Sequence, residues 1–158
     1  MKKMMLIGLG CLVLLLAAGG TARAHCEVPC GIYGDELRVQ LIAEHITTVE
    51  KAMKQIELLS KAESVNHNQL VRWIDNKELH ANELQEIVTQ YFMTQRIKVP
   101  ADPGDETARA AYVKNLTLLH KLLVKAMKAK QGTDLEVVSD MRTLLDEFSE
   151  SYLGKKVK

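Results

Sequence analysis

From Asp35 onward, apolar residues return every three or four positions, the spacing that lays a hydrophobic stripe along one face of an α-helix. Ile42, Ile46, Val49, Met53 and Ile56 form the first stripe and predict a helix from Asp35 to about Ala62. A second, from about Asn66 to Lys98, carries Leu70, Ile74, Ala81, Leu84, Val88 and Tyr91; Lys77 interrupts it and predicts a bend there. Val99-Pro100-Ala101-Asp102-Pro103-Gly104 ends that segment, because proline cannot continue a helix and restricts the residue before it. The third stripe is Tyr112, Leu116, Leu119, Leu123 and Ala126, with Gly132 suited to a left-handed stop. Thr133 with Glu136 reads as a capping box for a fourth helix, whose stripe is Val138, Met141, Leu145, Phe148 and Tyr152. Four amphipathic helices with short connections predict an all-α fold, an up-down-up-down four-helix bundle over residues 34–158.

The start of the chain follows another pattern. Lys2 and Lys3 precede an apolar run from Met4 to Ala18, Gly19-Gly20-Thr21 breaks it, and Ala22-Arg23-Ala24 has the small-x-small form of a signal-peptidase site. Residues 1–24 therefore read as a cleaved export signal; the run falls short of the roughly 20 residues a membrane span needs. Cys11 lies in a poor context for lipid attachment, with the apolar run continuing past it. Trimming leaves 18 basic against 20 acidic residues and no basic run, which argues against nucleic acid as a partner. The expected protein is exported, periplasmic or secreted, with no stable membrane insertion after cleavage.

Candidate chemistry concentrates in residues 25–33, His25-Cys26-Glu27-Val28-Pro29-Cys30-Gly31-Ile32-Tyr33. Cleavage after Ala24 makes His25 the first residue and frees its α-amine. That amine and the Cys26 amide nitrogen can close a five-membered chelate ring on one metal, and the same amide with the Cys26 sulfur a second. Cys30, brought back by the turn at Pro29-Cys30-Gly31, can fill a fourth corner. Two nitrogens and two sulfurs in a plane favour Ni(II) or Cu(II) over tetrahedral zinc. The His25 imidazole is then available as an axial donor. Spacing alone equally permits a Cys26–Cys30 disulfide, which export would encourage. Against that, closing so short a loop constrains the unfolded chain little.

The histidines of the body do not build a di-iron centre. The residues three before His45, His67, His80 and His120 are Ile42, Ser64, Lys77 and Thr117, none of them a carboxylate. These histidines read as surface or hydrogen-bonded core groups, with His45 and His80 the exceptions that an end of the bundle near the hook could use as outer-shell groups. Asn115-Leu116-Thr117 matches a glycosylation triplet, but its place in mid-helix discounts it.

His-Cys-x-x-Pro-Cys-Gly-x-Tyr at a processed start, followed by four helices, resembles the nickel superoxide dismutase family. The resemblance implies one nickel per subunit, bound by His25 through amine and imidazole, by Cys26 through amide and thiolate, and by Cys30 through thiolate. It implies Tyr33 at the substrate entrance, Pro29 setting the turn, and assembly as a homohexamer. The implied reaction disproportionates superoxide to dioxygen and hydrogen peroxide with nickel cycling between Ni(III) and Ni(II). The chain departs from familiar members at Glu27, where many carry Asp, and at Gly34-Asp35, where many carry Asp-Pro. Glu44 and Gln40 are candidates to orient the axial imidazole. The alternative is an exported helical module that binds nickel or copper, or senses thiol redox state, without turnover.

Overall fold

Four helices account for nearly all of residues 34–157, the part of the chain that the computed structural model describes. The expected leader and the hook residues His25, Cys26, Cys30 and Tyr33 lie outside the described residues. The helices are α1 (Asp35–Ser60), α2 (His67–Glu86), α3 (Glu106–Gln131) and α4 (Leu135–Leu153), and a π-helical segment, Ile87–Arg96, prolongs α2 without a break. Each helix packs against its two neighbours in the ring, α1 against α2 and α4, and α3 against the same two. Asp35 at the start of α1 meets Arg96 and Tyr152 at the ends of their helices, and Thr133 just before α4 meets Glu57 near the end of α1. The order is up-down-up-down, as the stripes predict. No described helix is long and apolar enough to cross a membrane.

The first stripe is buried along its whole length, as are Val138, Met141, Leu145 and Phe148 of α4. Each such side chain contributes about 1.5–3 kcal/mol by leaving water. Phe92 sits at the centre of an aromatic wedge, its ring centroid 5.2 Å from that of Tyr91, 5.0 Å from Phe148 and 5.7 Å from Tyr152. All three contacts are edge-to-face, the arrangement the ring quadrupole favours.

Several sequence expectations change in the fold. The buried face of α3 is turned from the predicted one: Asn115, Leu118, Leu122 and Ala129 join Leu119 and Ala126 inside, while Tyr112, Leu116 and Leu123 are half-buried. Asn115 is therefore enclosed, which disposes of the glycosylation triplet. Ile74 is exposed, and Lys77 takes a buried place instead. The helix runs unbroken through Lys77. Its ammonium donates to the carbonyls of Lys130 and Gly132, 2.8 and 2.9 Å away, and so satisfies the otherwise unpaired end of α3. Burial pulls its pKa below the usual lysine value, partly offset by Glu78. Gly132 is extended rather than left-handed; the left-handed stop belongs to Gly154 (φ 73°), whose amide donates to Glu150. The cap of α4 is Asp134, accepting from the Glu136 amide, while Thr133 is spent on the bond to Glu57.

Candidate metal centre

Asp35 is the first helical residue of α1 and stands two residues after Tyr33, so its surroundings fix where the expected hook leaves the bundle. One carboxylate gathers three partners from the far ends of two other helices. Tyr91 donates its hydroxyl to Oδ1 at 2.6 Å; Tyr152 and Arg96 Nη2 each donate to Oδ2 at 2.8 Å. Arg96 Nε lies 2.8 Å from Oδ1, so the guanidinium faces both carboxylate oxygens.

The π-helical segment makes this convergence possible. In an α-helix two residues five apart point about 140° away from each other. In a π ladder, whose bonds run i to i+5, such residues stack on one face. Tyr91 and Arg96 are five apart and reach the same carboxylate. The widened ladder is visible at its end, where the Ile97 amide bonds to the Phe92 carbonyl at 2.9 Å, and in the Thr94 hydroxyl bonding to the Thr89 carbonyl at 2.8 Å.

The electrostatics follow from the contacts. Burial alone would raise the Asp35 pKa, but the bonds from Arg96, Tyr91 and Tyr152 outweigh it and hold the carboxyl below its ordinary range. Burial, reinforced by the charge and hydrogen bond of Asp35, pushes Tyr91 up to about 12. Tyr152 is raised for the same reasons. The Arg38 and Arg96 guanidiniums lie 5.3 and 5.8 Å from the Tyr91 ring centroid, so two positive charges flank that ring. The C-terminal tail is tied to the same end: the Lys155 ammonium meets Glu36 at 2.7 Å, and Ser149 donates to the Lys155 carbonyl at 2.6 Å.

The structure separates the other candidates. Gln40 and Glu44 are both exposed on α1 and line one open groove between α1 and α4, with Arg142 and Asp146 on the facing wall. His67 and His120 are exposed, as a surface reading expects. His45 and His80 are brought together across α1 and α2, with Nδ1 atoms 2.8 Å apart, in mid-bundle rather than at an end. The cluster around Asp35 was missed in the sequence. Its partners lie 56, 61 and 117 positions away, and the one local signal was an acid in the first turn of α1.

A donor set of amine, amide, two thiolates and imidazole fits nickel by its chemistry, since anionic sulfur and amide donors stabilise a higher oxidation state. The family model for the nickel-containing superoxide dismutases matches residues 20–156, which takes in both the nine-residue motif and the helical body. No curated protein and no solved structure matches the chain.

Proposed function

From a chain that belongs to the nickel-containing superoxide dismutase family, we infer that the working centre is the hook at residues 25–33, exposed by removal of residues 1–24. The enzyme is a nickel-dependent oxidoreductase that converts two superoxide ions and two protons to dioxygen and hydrogen peroxide. The observation that carries the site assignment is the span of the family match, which runs through the hook as well as the helices.

In this reading His25 holds nickel by its amine and imidazole, Cys26 by amide and thiolate, and Cys30 by thiolate. Nickel bound there supplies one-electron exchange between Ni(III) and Ni(II). The rest of the chemistry belongs to side chains. Tyr33 stands at the entrance and hydrogen-bonds the small anion. Arg38, over the Tyr91 ring near the start of α1, adds positive charge to the approach and helps draw superoxide in, while the Arg96 charge is spent on Asp35. Asp35 fixes the departure point of the hook by holding Tyr91, Arg96 and Tyr152 together. Gln40 or Glu44 would orient the His25 imidazole.

Export follows from the leader, and the protein works in the periplasm or outside the cell. Assembly is homo-oligomeric, with six copies by family resemblance. Val71 and Ile74, exposed one turn apart on α2, offer an apolar surface for it.

The test is a chain that starts at His25, loaded with nickel and assayed for superoxide removal by competition. A form with one extra residue before His25 displaces the amine. It should lose activity by more than about 100-fold, because a donor is removed and not merely reoriented. Full activity in that extended form, with mass spectrometry confirming the added residue, would refute the chelate. A metal-binding module without turnover would take up nickel in the first chain yet leave superoxide untouched.

A further inference from the structure

His45 from α1 and His80 and Glu83 from α2 form a cluster that the hook does not use. Their donor atoms all lie within 4.8 Å of one another. The two Nδ1 atoms are 2.8 Å apart, and Glu83 Oε2 stands 3.3 Å from that of His45 and 3.6 Å from that of His80. His80 and Glu83 are three apart on one helix and so share a face. His45 meets them across the interface between α1 and α2, with its ring centroid 5.1 Å from that of His80.

Two features make this more than a chance meeting of polar groups. First, two imidazole nitrogens face each other with a carboxylate beside them, so the space between can hold one cation, either a proton or a metal ion. Second, the spacing suits a metal. With bonds of 2.0–2.1 Å, donors at the corners of a tetrahedron are about 3.3 Å apart. The observed separations of 2.8, 3.3 and 3.6 Å bracket that value. The histidine side chains are 14 and 25 % exposed and the Glu83 side chain 43 %, so the imidazoles are held by packing while the carboxylate side opens to solvent. Two imidazoles, one carboxylate and a position left for water is a zinc-type set.

We propose that His45, His80 and Glu83 are a second metal site, taking a divalent ion of the zinc type and tying α1 to α2. It lies about 15 Å along α1 from Asp35, at 1.5 Å per residue. The site does not depend on the hook, because all three donors belong to the helical body.

The experiment removes the hook's donors first. A chain starting at residue 25 and carrying H25A/C26A/C30A, shown to be helical by circular dichroism, is stripped with chelator and titrated with Zn2+. It should bind one zinc per chain, and Tm should rise by about 5 °C or more at a hundredfold excess over Kd. Adding H45Q/H80Q should weaken binding by more than about tenfold and abolish the Tm shift, while leaving the helical signal in place. Co2+ offered in place of zinc should give visible absorption bands in the first chain and none in the second. Absence of zinc binding in the H25A/C26A/C30A chain would overturn the proposal. So would binding that H45Q/H80Q leaves unchanged. Nickel counted on the chain that keeps His25, Cys26 and Cys30 tests the hook, so failure of one site is not failure of the other.

Discussion

Two polar clusters interrupt the apolar interior of this bundle, and they are built on opposite principles. Around Asp35, one negative carboxylate meets a guanidinium and two phenolic donors, so charge and hydrogen-bonding capacity are matched within the protein. Around His45, two bases and an acid converge with nothing but acceptor capacity between them beyond one proton. The first cluster is closed and holds helices in place; the second is open and calls for an outside ion. Exposure alone does not explain the contrast: Tyr91 is buried, but Asp35, Arg96 and Tyr152 are half-buried, as are His45, His80 and Glu83. What differs is whether the donors and acceptors sum to zero.

Breaking the closed cluster should cost the most. Asp35→Asn removes the charge that Arg96 faces and weakens three bonds, and should destabilise the fold by about 2 kcal/mol in a urea titration. The pH dependence carries a second signature. Asp35 has a depressed folded pKa, so its stabilisation is present above about pH 4 and is lost as pH falls through the folded value. The D35N variant should lack this part of the acid limb. Tyr91→Phe deletes one of the three bonds and should cost about 1 kcal/mol at neutral pH. The parent should also lose stability between about pH 10 and 12, because Tyr91 keeps its proton longer folded than unfolded, and Y91F should not share that part of the loss. The smallest effect should come from the open cluster. Without metal, His80→Gln should move the unfolding midpoint by less than about 0.5 kcal/mol, as it removes no saturated network. If H80Q in chelator proved as costly as D35N, the distinction between closed and open clusters would fail.

The stripes of α1 and α4 were legible because each buries a single face against two neighbours, and periodicity reports just that. The stripe of α3 was read a fraction of a turn away from its true face. Leu116, Leu118, Leu119, Leu122 and Leu123 crowd so closely that several faces look apolar, and only the positions of α2 and α4 choose among them. Lys77 looked like an interruption because a buried ammonium makes sense only once two carbonyls from another helix are in view. Thr133 lost its cap role to Asp134 for the same kind of reason, a partner 76 positions away. The π-helical segment left no periodic trace at all. Of the chemistry, the expected hook rests on donors that lie within six residues of one another, and His45 and His80 stood out as exceptions. Glu83, which completes their cluster, and Asp35 with its three partners depend on contacts between helices that no local pattern encodes.

The π-helical stretch Ile87–Arg96 has a consequence for how this protein can change. Deleting one residue between Tyr91 and Arg96 would let the segment relax to ordinary α-helix with the two side chains four apart and still on one face. Losing the π ladder at the present length would instead leave them five apart and about 140° away from each other. Arg96 would then turn away from α1, and the Asp35 carboxylate would lose its counter-charge. The stretch therefore tolerates a shorter chain better than a rewound one: its winding and its length have to change together.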